Sequence, residues 1–306
     1  MKNMKRTGIF LVIAFVLTWG ICLILYLNGG LYNPFASIAL AACMLCPAVA
    51  SIITRLITKE GFKNMYIKPR FRGNGGRYVL SWLLMPLLIT LGATLYFLLC
   101  PAHFDPSMTA FAQTSGLDPS LMGMIFWAQI AQSVLLAPIL NLIPALGEEL
   151  GWRGYLLPKL AQRYSPANAA LISGAIWGFW HAPMIAMGHN YGLDYAFFPW
   201  GGILAMIAFC ILLSGIFSYI TFRAKSAIPA ALLHGSMNGF AAAPVMLLSA
   251  GISPSPFVGP LPVGIIGGSA IIIAGAISFF LITKLPHHKK EGTADGLPDL
   301  PENRAD

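Results

Sequence analysis

The chain has 306 residues, of which 57% are apolar or aromatic and only 10% are charged, with a formal net charge of +8. A soluble globular domain carries roughly 25% charged residues, so disordered, collagen-like, disulfide-scaffold and most cytosolic-enzyme classes are excluded. The same shortage of polar surface removes a nucleic-acid reading of the positive charge, which would need a displayed basic patch.

A membrane-crossing helix needs about 20 mostly apolar residues. Eight such stretches are predicted, at 8–28, 36–57, 78–100, 123–147, 167–187, 199–221, 226–248 and 260–283. The first follows Lys2, Lys5 and Arg6 but precedes no small-residue cleavage pattern, so it is read as a retained helix rather than a signal peptide. The runs are continuous rather than alternating, which is not the pattern of a membrane barrel. The predicted class is therefore all-α, a polytopic protein of the cell membrane with about eight transmembrane helices.

Lysine and arginine favour cytoplasmic loops. With eight spans starting inside, all 19 basic residues fall in or beside 1–7, 58–77, 148–166, 222–225 and 284–306. The opposite loops carry Asp105, Asp118 and Asp194. Both termini are accordingly expected in the cytoplasm. Segment 59–77 places basic residues around Phe62, Tyr66 and Phe71, which suits a loop lying on anionic headgroups or a plain topology determinant. The expected organisation is a three-helix region at 1–122, a candidate catalytic core at 123–245, a last helix and basic end at 246–290, and a disordered tail at 291–306. Cys22, Cys43, Cys46, Cys100 and Cys210 lie in or at the ends of apolar spans. Cys43 and Cys46 form a CxxC, yet no polar neighbour lowers a thiol pKa and no second pair completes a zinc site. Apolar packing is the expectation for all five.

Within a bilayer the informative side chains are the polar ones, because an unpartnered charge at mid-depth costs at least ~2.5–3.5 kcal/mol. Three clusters stand out: Gly147-Glu148-Glu149-Leu150-Gly151-Trp152-Arg153-Gly154, Trp177-Gly178-Phe179-Trp180-His181-Ala182-Pro183, and His234-Gly235-Ser236-Met237-Asn238. Glu149 and Arg153 stand four apart, so they share a helix face and can pair. Glu148 points about 100° away and is left available for another task. His234 and Asn238 are also four apart, and Trp177 lies one turn before His181, placed to shield its ring. Taken singly, each cluster has a bland reading as a solvated helix end, a packed histidine or an interhelical hydrogen bond. Their coincidence in residues 148–238 points to a site. His103 and His189 fall in outer loops, and His287 and His288 in the basic tail.

HExxH is absent, which excludes a zincin helix, and neither Ser173 nor Ser236 sits in a nucleophile elbow. The residues suit water-mediated attack on an amide, with a carboxylate taking a proton from water and imidazole and carboxamide groups stabilising the oxyanion. They also leave open a proton- or ion-coupled transporter and a non-catalytic scaffold.

Glu148-Glu149-x-x-x-Arg153, an aromatic-x-x-x-His ending at His181, and His234-x-x-x-Asn238 follow one another on successive predicted helices. In this they resemble the CPBP family, the CAAX-protease and bacteriocin-processing intramembrane peptidases that include the Rce1-type prenyl endopeptidases. The resemblance covers residues 123–245, and it departs from the family pattern in having Trp177 where the second motif usually begins with Phe. It implies an intramembrane endopeptidase acting on membrane-associated peptides or proteins, prenylated CAAX tails among them, in contact with the lipid bilayer and no nucleic acid. Glu148 would be the general base, His181 would polarise the attacking water, His234 and Asn238 would form the oxyanion site, and Glu149 and Arg153 would hold the first motif in shape. Members have been called metalloproteases. A glutamate-dependent mechanism without a cofactor is the expectation, and the alternative is zinc on Glu148, His181 and His234.

Overall fold

The computed structural model describes residues 2–285 as helices joined by turns and loops, with no strand among them. The calls on His287, His288 and the tail lie outside these residues. Three long helices come first, α1 (Lys2–Leu27), α2 (Ala36–Ile57) and α3 (Gly75–Leu99). They are followed by α4 (Met122–Leu135), α5 (Leu142–Gly151), α6 (Pro166–Trp180), α7 (Trp200–Ala224), α8 (Ile228–Phe240) and α9 (Ser269–Thr283).

Among the described residues, Met4–Leu27, Ala36–Ile57, Gly75–Leu99, Pro166–Ala186 and Trp200–Ala224 are long and apolar enough to cross a membrane, and Ser269–Thr283 is a shorter apolar helix. The protein is thus an all-helical integral membrane protein. Apolar side chains stand exposed along these helices: α1 turns Phe10, Ala14, Cys22 and Leu25 inward and leaves Val12, Val16, Leu23 and Tyr26 more than half exposed. Such a surface belongs in lipid rather than water.

Four of the eight predicted spans are irregular, 167–187 turning at His181 between Pro166–Trp180 and Ala182–Ala186. Stretch 123–147 is not one rod, because the chain breaks between α4 and α5 through the short helix Ala137–Leu140. The physical cause is Pro138, which has no N–H for the Val134 carbonyl four residues earlier. Trp82 of α3 supplies the missing donor, its Nε1 lying 2.6 Å from the Val134 oxygen. Stretch 226–248 is helical only as far as Phe240 and continues as a 3₁₀ segment, Ala243–Leu247. Stretch 260–283 becomes helical at Ser269, after turns rich in Gly and Pro.

Close helix approach depends on glycine. A Cβ on Gly147 would come within 2.7 Å of the Met44 carbonyl oxygen, and one on Gly151 would overlap Pro47, so α5 lies directly on α2. Gly174 and Gly178 give α6 the same closeness to α7 at Cys210–Ser214 and Ile207, and Gly235 and Gly239 give it to α8 against Ala137–Asn141. Each pair has the small-xxx-small spacing that lets helix backbones meet in lipid. The cysteines among the described residues are free; Cys22 and Cys43 face each other across α1 and α2 with their sulfurs 3.9 Å apart, as packed side chains.

At the end of the bundle where the basic loops lie, Glu60 gathers three parts of the chain. It meets Arg6 of α1 at 3.5 Å, the Tyr155 hydroxyl at 2.6 Å and the Lys159 ammonium. The loop it belongs to then crosses beneath the core, where the Tyr66 carbonyl accepts from the Ala227 amide at the start of α8 (2.9 Å). Burial pushes the Glu60 carboxyl up, but the donors from Lys159 and Tyr155 outweigh it and hold the group below the usual glutamate range.

Replacing Trp82 by Phe removes the indole N–H offered to the Val134 carbonyl and is expected to cost ~1–3 kcal/mol, read as lowered thermal stability in detergent micelles. Unchanged stability would mean that water or another donor replaces the indole. A group whose pKa is lowered by folding stabilises above its unfolded pKa, and that stability is lost as pH falls through the folded value. Thermal stability should therefore hold from neutral pH down to about 4.3, the ordinary glutamate pKa, and fall below it. In Glu60→Gln the part of that acid loss due to this side chain should disappear.

Candidate active site

The three motifs meet where α5, α6 and α8 face one another. At the end of α5 the helix widens into one π turn, Trp152–Leu156, which carries Arg153. Such π turns recur at functional sites. Glu149 and Arg153 make the pair expected from their spacing, with Nη1 at 3.2 Å from Oε1 and 3.1 Å from Oε2. Both side chains are fully buried. Glu149 Oε1 also meets Nδ1 of His234 at 2.9 Å, which ties α5 to α8. A carboxylate oxygen can only accept, so the proton of that bond sits on Nδ1 and Nε2 is the ring atom not engaged by Glu149.

His181 is fixed in the same way by a different route. Its backbone amide turns to the Gly178 carbonyl (3.1 Å), a tighter bond than the helix would make, as α6 ends. The Trp177 carbonyl, the regular partner of that amide, instead lies 2.9 Å from Nδ1 of the His181 ring. Because a carbonyl only accepts, Nδ1 again carries the proton and Nε2 is directed away from the helix.

Glu148 is not the unengaged carboxylate that helix spacing suggested. Its Oε2 accepts from the Trp177 indole Nε1 at 2.7 Å, and the residue is 2% exposed. Trp177 is the residue that sequence reading underrated. Its ring centroid lies 5.9 Å from that of His181 and 5.6 Å from that of His234, and the Arg153 guanidinium sits 4.3 Å above it. Arg153 also lies 4.8 Å from the ring of Phe217 of α7. Arg153 Nε and Nη2 have no hydrogen-bond acceptor, and these ring faces stand where acceptors would. The one-turn spacing of Trp177 and His181 was a usable signal. Phe217 had none, since it is one aromatic in a uniformly apolar helix.

The structure therefore brings Glu148, Glu149, Arg153, His181 and His234 together around Trp177. Asn238 stands one turn beyond His234 on an exposed part of α8, outside this bonded cluster. Ser236 is taken up structurally, donating to the Trp82 carbonyl at 2.5 Å, and the buried Ser173 hydroxyl lacks a partner. Neither is near a base in the manner of a nucleophile. With both carboxylates ionised, Arg153 protonated and both imidazoles neutral, the cluster carries one net negative charge. An uncompensated charge out of water is costly, so one further proton on this set makes it neutral. Among the described residues no three His, Cys, Asp or Glu side chains are gathered as a metal's donor set. Glu148 Oε2 and both Nδ1 atoms are already bonded within the protein.

Past the end of α8, a cavity of about 480 Å³ opens between α3 and α4. Phe97, Phe126, Trp127 and Phe240 supply its walls, with Thr90 and Thr94 at the rim of α3.

Residues 130–240, which contain all three motifs, match the family described as type II CAAX prenyl endopeptidase Rce1-like. A 52-residue stretch is 44% identical to the CAAX prenyl protease 2 of Methanococcus maripaludis, covering 17% of this chain and 19% of that protein. The chain thus spans about a fifth of the length of that curated relative in the match.

Removing Arg153 leaves Glu149 as a buried charge without its counter-ion, which typically costs 3–5 kcal/mol. Arg153→Ala should lower the unfolding temperature far more than Arg153→Lys, which retains the charge. Equal stability of the two variants would show that the ring contacts of the guanidinium, rather than the ion pair, matter to the fold.

Proposed function

We propose that this chain, whose residues 130–240 match the Rce1-like family, is an intramembrane endopeptidase, hydrolysing peptide bonds of membrane-associated proteins or peptides. The observation that supports it most directly is the buried set of Glu148, His181 and His234, each held by one bond at one atom, Glu148 at Oε2 and the two rings at Nδ1.

In this reading Glu148 is the general base. Its carboxylate takes a proton from a water molecule whose other O–H is accepted by His181 Nε2. The oxygen adds to the scissile carbonyl carbon, and the resulting oxyanion is stabilised by the Asn238 carboxamide and by His234, which donates from Nε2 in its doubly protonated form. Collapse breaks the C–N bond, and Glu148 returns its proton to the departing amine. Glu149 and Arg153 take no part in bond making. They hold His234 and the first motif at the positions the chemistry needs. Each of these steps is carried by groups of the chain itself, without a metal or other cofactor. In this reading the site lies nearer the cytoplasmic side, the side on which basic loops are expected.

For the substrate, the 480 Å³ cavity favours a lipidated peptide of the prenylated CAAX type. Its aromatic walls give a hydrocarbon chain a place to lie while the peptide part reaches Asn238, two residues before Phe240.

The test is cleavage of a membrane-anchored fluorogenic peptide by protein in liposomes. Glu148→Ala should lower kcat by at least ~100-fold, the size of a general-base contribution, with thermal stability retained. Normal cleavage by that variant would overturn the mechanism.

A further inference from the structure

We propose that Trp177 is a positioning residue of the site, whose indole N–H holds the Glu148 carboxylate in the orientation that meets the attacking water. This rests on the reading of Glu148 as the base and deepens it.

The argument begins with what a shield would require. Covering a buried imidazole needs only a ring of the right size, and Phe, the residue with which the second motif usually begins, provides one. Tryptophan adds a single chemical feature, an N–H, and here that N–H is directed at Glu148 Oε2 at 2.7 Å with both residues buried. That is the length of a charge-assisted bond. Among the described residues it is the hydrogen bond recorded for the Glu148 side chain. Arg153 is engaged with Glu149, and His234 donates to Glu149 as well.

Without the indole, nothing else in the cluster aims a donor at Glu148. A glutamate side chain has three rotatable bonds, and freezing them otherwise has to be done while the substrate is bound. The same residue fixes its second partner through the backbone, since the Trp177 carbonyl bonds His181 Nδ1 at 2.9 Å. One residue of α6 therefore sets both groups proposed to handle the water, Glu148 with its side chain and His181 with its main chain. The relation of the two is built into one packed unit, because the indole lies 4.3 Å from the Arg153 guanidinium and 5.7 and 5.6 Å from the rings of Phe217 and His234. A side chain substitution disturbs only the first of these two bonds, which makes the proposal separable from a general loss of structure.

Two replacements in the liposome-reconstituted full chain test it. Trp177→Phe keeps a ring and loses the donor. Incorporating β-(3-benzothienyl)alanine at position 177 keeps the indole's shape and replaces its N–H by sulfur. Both should lower kcat by about 10–100-fold, as loss of one bond to a charged group predicts, with KM within about twofold and unfolding temperature near that of the wild type. Difference infrared spectra should show the Glu148 carboxylate band shifted in the benzothienyl protein. Full kcat in that isostere, or an unshifted band, overturns the proposal even if Trp177→Phe is slow, because the shape of the ring would then suffice. Glu148→Gln run in parallel distinguishes the two levels. If it cleaves normally the general-base reading itself has failed, whereas an inactive Glu148→Gln beside a fully active isostere defeats only the positioning role.

Discussion

A carboxylate with no exposure to water must find its charge partners inside the protein, and Glu149 finds them on two helices, Arg153 one turn along its own and His234 on α8. The consequences spread outward. Arg153 cannot leave without stranding the carboxylate, so it stays packed against the rings of Trp177 and Phe217, which also touch each other. Trp177 held there directs its N–H at Glu148 and its carbonyl at His181. His234 held by Glu149 presents Nε2. From one buried ion pair, four helices acquire a common register.

That register requires backbones close enough for short side chains to meet. Lipid tails are as apolar as leucine, so nothing squeezes membrane helices together by excluding water, and contact has to come from packing. The glycine pairs meet this need, and they sit directly beside the polar residues: Gly147 precedes Glu148, Gly178 follows Trp177, and Gly235 and Gly239 follow His234 and Asn238. On a helix, neighbours in sequence point about 100° apart. Each pair thus lays one face of its helix against a neighbour and swings the adjacent polar face into the shared interior.

Much of this was legible in the sequence for reasons that can be named. Long apolar runs mark α1, α2, α3 and α7 because hydrocarbon tolerates no other composition over that length. Four-residue spacing brought Glu149 to Arg153 because helix geometry alone sets that distance. The site residues announced themselves through scarcity of charge. What stayed hidden depended on contacts between segments far apart in the chain. Trp177 reads as a shield until α5 is placed against it, Glu60 reads as one more loop residue until Arg6, Tyr155 and Lys159 surround it, and Phe217 carries no mark at all. The glycine pairs were visible as spacing, but their partners were not.

One of the interrupted stretches, at His181, falls within the polar cluster. Non-helical backbone at membrane depth is tolerated only where other groups take up the freed carbonyls and amides, so an interruption has to be supported from a neighbouring helix. Here the Val134 carbonyl is met by Trp82, the Trp177 carbonyl by the His181 ring, and the Trp180 carbonyl by the Trp19 indole at 3.1 Å. The middle one shows why such breaks are kept. An unbroken helix through His181 would use the Trp177 carbonyl for the His181 amide and leave the ring without a fixed tautomer. Ending α6 at Trp180 frees that carbonyl, and the tautomer that leaves Nε2 unprotonated follows from it. The local failure of a continuous-span pattern is thus the step that gives a buried histidine a fixed tautomer, with Nε2 able to accept a hydrogen bond.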